Sequence, residues 1–215
     1  YKSTSALALN SGTIKDAANN AATLTLASPG ATNSLGANKA FVVDGILPTI
    51  SSVSLSSDNS TVAVKMSEGV YFNVNGGIGW PGTNSFKFTI SGGTATLSST
   101  TPSSISPASA IPSDTTYTLG ISLSGTPNGS ETLTVNPVDT PGDQIYDAGG
   151  NQMSTSQSNN TTTLNDKITP TVTILPANEA SGVAVDRNIT ITFNEAVRKI
   201  DDSALTDSNV DALIT

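Results

Sequence analysis

The chain has 215 residues, 17 acidic and 9 basic, and its net charge of −8 excludes a nucleic-acid partner, which needs a Lys/Arg footprint on phosphates. It contains neither Cys nor His, which excludes thiolate or imidazole zinc sites, thiol catalysis and imidazole acid–base chemistry. Only 12% of its residues are charged, and no run approaches the ~18 apolar residues of a membrane span.

The first feature along the chain is Ile14-Lys15-Asp16-Ala17-Ala18-Asn19-Asn20, an Asp/Asn-rich loop. Asp44-Gly45-Ile46-Leu47-Pro48-Thr49-Ile50 follows and leads into a strand over Ile50 to Leu55. Val62, Val64 and Met66 alternate with Ala63 and Lys65, as do Phe86, Phe88 and Ile90 with Lys87 and Thr89. That period of two marks strands buried on one face. Thr94 to Leu97 is a short strand, Tyr117, Leu119, Ile121 and Leu123 form the clearest one, and Leu133 with Val135 gives another. The loop Ile145-Tyr146-Asp147-Ala148-Gly149-Gly150-Asn151 precedes a closing strand, Thr161 to Leu164. Then come Asp166-Lys167-Ile168-Thr169-Pro170-Thr171-Val172 and the strand phrase Ile189 to Val197. Ser203 to Ile214 has the spacing of a short helix or helical turn.

Three phrases recur in the same order. Asp-x-Ile-x-Pro-Thr occurs at Asp44 and at Asp166, 122 residues apart. Ile-x-Asp-Ala-x-x-Asn occurs at Ile14 and Ile145, and Val62 to Val70 matches Ile189 to Val197. Such a period signals a tandem array. Residues 1–45 then read as the C-terminal part of one domain, 46–168 as a complete domain and 169–215 as the N-terminal part of a third. Tyr1 opens the chain without a Met, a basic stretch or an apolar run, so the sequence reads as an interior or processed piece of a longer polypeptide. The two partial domains expose apolar residues that need partner sheets, among them Leu7, Leu9, Phe41, Val42 and Val43 on one side and Val172, Ile174, Ile189, Ile191 and Phe193 on the other. Continuation of the chain in both directions is favoured over head-to-tail exchange between copies, because the two pieces together fall short of one repeat.

Ala180-Ser181-Gly182-Val183-Ala184-Val185-Asp186, followed by Asn188 to Val197, resembles the opening of the S-layer-type Ig-like domain, and Asp147-Ala148-Gly149-Gly150-Asn151 resembles a loop of bacterial adhesin repeats. The central domain departs from this pattern, with Met66 where Phe193 stands and Leu55 to Asn59 in place of the Gly-Val-Ala-Val-Asp lead-in. The resemblance implies an all-β chain of tandem immunoglobulin-like Greek-key β-sandwiches in an extracellular stalk, adhesin or surface layer. About seven short strands with Gly/Pro/Asn turns point independently to a sandwich. The lack of Cys fits a bacterial or archaeal exported protein better than a secreted eukaryotic one.

The acids of the repeats are the metal candidates. Asp44 with Glu68 at the first junction, and Asp166 with Glu195 at the second, aided by Asp16 and Asp147, offer the oxygen donors that calcium requires. The bland alternative is that these acids and their Asn neighbours only shape turns. Trp80, in Gly76-Gly77-Ile78-Gly79-Trp80-Pro81-Gly82, is the candidate partner-binding residue, to be weighed against an aromatic plug over the sandwich end. That loop lacks the Lys-Ser/Thr of a phosphate loop. Lys65 and Lys87 read as solvated rather than as isopeptide donors. Asn59, Asn128, Asn159, Asn160 and Asn188 begin glycosylation sequons.

No nucleophile has a base, so the chain reads as a non-enzyme. The leading function is a structural segment of an extracellular array, stiffened at its junctions by calcium, with neighbouring repeats or copies of the same protein as partners. The alternatives are an adhesin module binding glycan or a cell-surface protein, and a non-catalytic accessory module of a secreted polysaccharide-degrading enzyme.

Overall fold

The structure, a computed structural model, describes residues 3–38, 44–72, 79, 81–107 and 115–206. Among the described residues eleven strands follow one another: β1 (Ile50–Leu55), β2 (Thr61–Met66), β3 (Phe86–Ser91), β4 (Thr96–Leu97), β5 (Ile105–Ser106), β6 (Thr116–Gly120), β7 (Leu123–Ser124), β8 (Thr132–Pro137), β9 (Thr161–Thr163), β10 (Val172–Leu175) and β11 (Thr190–Phe193). One sheet has the order β1-β2-β6-β5 and a second the order β3-β8-β9, with small pairs β4-β7 and β10-β11. Every pairing is antiparallel. Four strands facing three, with the chain crossing between sheets after β2 and after β6, is the arrangement of a constant-type immunoglobulin sandwich.

The alternating residues set the inward faces. Val62, Val64 and Met66 from β2, Phe86 and Phe88 from β3, Leu119 from β6, and Leu133 and Val135 from β8 are buried in one cluster with Ile50, Tyr117, Ile145, Met153 and Leu164. Lys65 and Lys87 face solvent. Ile90, expected inward, is only partly buried at the edge of this cluster. The rings of Phe86 and Tyr117 join the two sheets, with centroids 6.4 Å apart. No disulfide spans the sheets, so apolar burial carries the contact between them.

The expected single strand from Tyr117 to Leu123 is two strands. β6 pairs with β2 as far as Thr61↔Gly120, and Leu123–Ser124 then pair with β4. The break falls where Gly120 and Ile121 are buried consecutively, which a two-residue period cannot do. A Cβ at Gly120 would lie 2.4 Å from the Ser103 hydroxyl and 3.1 Å from the Ser104 main-chain nitrogen, so a larger residue here would displace the serine side chains. Sequence reading also passed over β5 and the helical turn Leu35–Asn38, which Ser34 caps by accepting from the Ala37 N–H. Of the helix expected over Ser203–Ile214, residues 203–206 carry instead a bridge, Arg198↔Ala204, and the rest lies outside the described residues.

Local structure repeats along with the sequence phrases. In β10–β11, Val172 faces Phe193, and Thr171 and Asn194 exchange hydrogen bonds beyond the strand ends. In β1–β2, Ile50 faces Met66, and Thr49 and Ser67 exchange hydrogen bonds in the same way. The apolar side chains of Val172, Ile174, Ile189, Ile191 and Phe193 stand exposed, unlike their β1–β2 counterparts.

Candidate metal centre

β2 ends at Met66, and Ser67 is fixed by donating its N–H to the Thr49 carbonyl while its hydroxyl accepts from the Thr49 N–H. The chain then turns, with Val70 in the core and Glu68 half-buried between these anchors. The loop carrying Asp147 is held from beneath by Ile145 and Met153, both buried, with the Met153 N–H on the Ile145 carbonyl at 2.8 Å. Tyr71 and Tyr146 exchange two main-chain hydrogen bonds, which bring the Glu68 turn against this loop.

Asp147 is fully buried. Its Oδ1 accepts from the Asn151 N–H at 2.8 Å and its Oδ2 from the Asn151 side-chain amide at 2.7 Å. The same amide nitrogen donates to the Asp44 carbonyl at 3.1 Å and the Ile46 carbonyl at 3.4 Å, drawing residues 44–46 over the loop. At Gly149 an added Cβ would stand 3.0 Å from the Asp44 Cβ, so the approach relies on a residue without a side chain.

The result is a group of three carboxylates. Asp44, Glu68 and Asp147 each place one oxygen within 4.8 Å of the others. Burial, then the charges of Asp147 and Asp44, push the Glu68 carboxyl up from its ordinary value. Like charges gathered in this way favour either a shared proton or a cation. The donors are carboxylates, a hard all-oxygen set of the type calcium takes, and the sequence has neither Cys nor His.

The six acids singled out in the sequence fall into three groups. Asp44 and Glu68 meet as expected, and Asp147 joins them. Asp166 and Glu195 also meet: burial, then Asp166 through its charge and a hydrogen bond, raise the Glu195 carboxyl. Glu195 Oε1 is buried without a hydrogen-bond partner. Asp166 Oδ1 accepts from the Ile168 N–H just as Asp44 Oδ1 accepts from the Ile46 N–H. Asp16 stands apart from both. It is exposed and joins no acidic group among the described residues. Its oxygens accept from the N–H groups of Ala18 and Asn20 and from the Asn20 side chain, so it organises its own loop. Those bonds hold its carboxyl below the ordinary value, the Asn20 side chain foremost.

Asn151 is the site residue that sequence reading missed. It closes both the phrase Ile-x-Asp-Ala-x-x-Asn and the loop Asp147 to Asn151, and the signal was its spacing four residues after Asp147, which Asn20 repeats after Asp16. Trp80 lies outside the described residues. Of the sequons, Asn59 and Asn160 are buried and spend their amides on main-chain carbonyls, which closes both to glycans.

Comparison with known families accords with this fold. Residues 166–212 match the model of a family described as the bacterial Ig-like domain. This stretch is similar to the bacterial Ig-like domain. The match opens on Asp166, covers β10 and β11, and includes Glu195, so the second acidic pair lies within the matched stretch. No curated protein and no solved structure matches the chain.

Proposed function

We propose that the chain is a structural segment of an extracellular array of Ig-like domains, with its junctions stiffened by calcium. The observation that carries this reading is the convergence of Asp44, Glu68 and Asp147 on one point. Asp44 lies on the segment entering the central sandwich, whereas Glu68 and Asp147 belong to the sandwich itself. A cation held by all three ties the entering chain to the domain. Calcium supplies positive charge and a preference for six to eight oxygens, and the chain supplies the carboxylates and nearby carbonyls. Asp166 and Glu195 begin the same arrangement at the next junction. The recurring phrases divide the array into 1–45, 46–168 and 169–215, with the central core running from Ile50 to Leu164. The partners in this reading are neighbouring repeats or copies of the same protein, at a bacterial cell surface or in a secreted filament.

Terbium is a calcium surrogate whose emission tyrosine sensitises, and Tyr146 directly precedes Asp147. The chain should give saturable terbium emission that calcium displaces, and Asp147→Asn should abolish most of it. Emission that persists unchanged in Asp147→Asn, or that calcium does not displace, would remove the site.

A further inference from the structure

The segment leaving the central sandwich is gripped by protein alone. Asn59 sits in the β1–β2 turn, 2% exposed, with its backbone in the left-handed region at φ 62°. Its side-chain oxygen accepts from the Asn165 N–H at 2.9 Å, and its side-chain nitrogen donates to the Asn165 carbonyl at 2.8 Å. One amide side chain thus pairs with both main-chain groups of one residue, as a neighbouring strand would. Asn165 returns the contact through its own amide, which donates to Asn59 Oδ1 and to the Ser56 carbonyl, each at 3.0 Å.

The opposite side of the segment is held by the loop between β7 and β8. Leu164 donates to the Glu131 carbonyl at 2.9 Å and Lys167 to the carbonyl of buried Pro127 at 2.8 Å. Gly129 packs so closely that an added Cβ would stand 3.2 Å from the Asp166 Cβ. This loop is itself rigid. Glu131 is fully buried, and its carboxylate accepts from the N–H groups of Thr94, Ala95 and Asn128. Residues 164–167 are therefore bonded on both flanks, a few residues before β10 begins.

We propose that Asn59 is a clasp that fixes the angle at which the chain passes from the central sandwich into the next Ig-like unit, and that it does so without a metal. Every contact in it joins protein to protein, so it stands or falls separately from the calcium reading. Its consequence for an array is a joint that resists bending even in chelator.

Amide hydrogen exchange of the 215-residue chain in chelator tests this. In the unaltered chain, Asn165 and Lys167 should exchange at least about tenfold more slowly than neighbouring Thr169. Asn59→Gly keeps the left-handed turn and removes only the clasping side chain. It should speed exchange at Asn165 and Lys167 by about tenfold or more while Val64 and Val135 keep their protection. Asn59→Asp, which keeps the acceptor and loses the donor, should fall between the two. Unprotected Asn165 and Lys167 in the unaltered chain would overturn the clasp. So would an Asn59→Gly chain in which linker and core amides accelerate equally, or in which neither changes.

Discussion

Glu68 lies against the buried carboxylate of Asp147, and it binds its proton more tightly than an ordinary glutamate because of burial and of the charges of Asp147 and Asp44. A raised folded-state value means that the folded chain holds a proton which the unfolded chain has released. Stability therefore falls as pH rises from about the ordinary glutamate value through the raised one, as the repulsion develops. A bound cation reverses the sign of that contribution.

Glu68→Gln should therefore act in opposite directions in two buffers. In chelator, at a pH above the raised Glu68 value, it should leave stability unchanged or raise it by on the order of 0.5 kcal/mol, because a repulsive charge is gone. In calcium it should reduce the stabilisation that the ion confers. Thermal melts in both buffers check this, and a loss of the same size in each would assign Glu68 a purely structural role.

Asp16→Asn should leave the calcium response untouched, because Asp16 bonds only within its own loop. Asp147→Asn should diminish it strongly. Equal effects of the two substitutions on calcium affinity would contradict the division of the six acids into these groups.

Glu131 provides the acid-sensitive contribution. Burial alone would raise its carboxyl, but the N–H groups of Ala95, Thr94 and Asn128 outweigh that and hold it at about 2. This stabilisation is complete above the usual glutamate value of 4.5 and is lost as pH falls from there through about 2. Glu131→Gln should cost about 1–3 kcal/mol at neutral pH, since a neutral amide oxygen then replaces the charged acceptor of three N–H groups and the amide NH2 takes the place of the oxygen that shares the Asn128 N–H. Urea melts between these pH values should show a flatter dependence in the variant.

Leu119 is fully enclosed between the sheets. Leu119→Ala should cost about 2–5 kcal/mol, the transfer and cavity penalty of a buried leucine, as measured by denaturant unfolding.

The sandwich was legible because Val62, Val64, Phe86, Phe88, Leu133 and Val135 alternate with polar residues, and a half-buried strand has no other economical pattern. Two-residue strands such as β5 and β7 are too short to show a period, although Thr94 to Leu97 was legible around β4, and Gly120 sits against Ser103 in a close approach that no local pattern encodes. At the site, recurrence at a fixed period drew attention to all six acids, but repetition cannot say which copies meet. Asp16 and Asp147 occupy equivalent loops, yet among the described residues only Asp147 has an entering Asp and a strand-end Glu beside it. Asn59, Asn151 and Glu131 act through main-chain groups distant in sequence, so their roles emerge only from the folded chain.

The most direct test of the account is the melting temperature of the 215-residue chain in calcium and in chelator, with Asp147→Asn alongside. A site on the folded state alone should stabilise the unaltered chain by about 2.7 kcal/mol at a hundredfold excess of calcium over its Kd, and the variant should lose most of that gain. The same melting temperature in both buffers would contradict it, leaving Asp44, Glu68 and Asp147 as turn-forming acids.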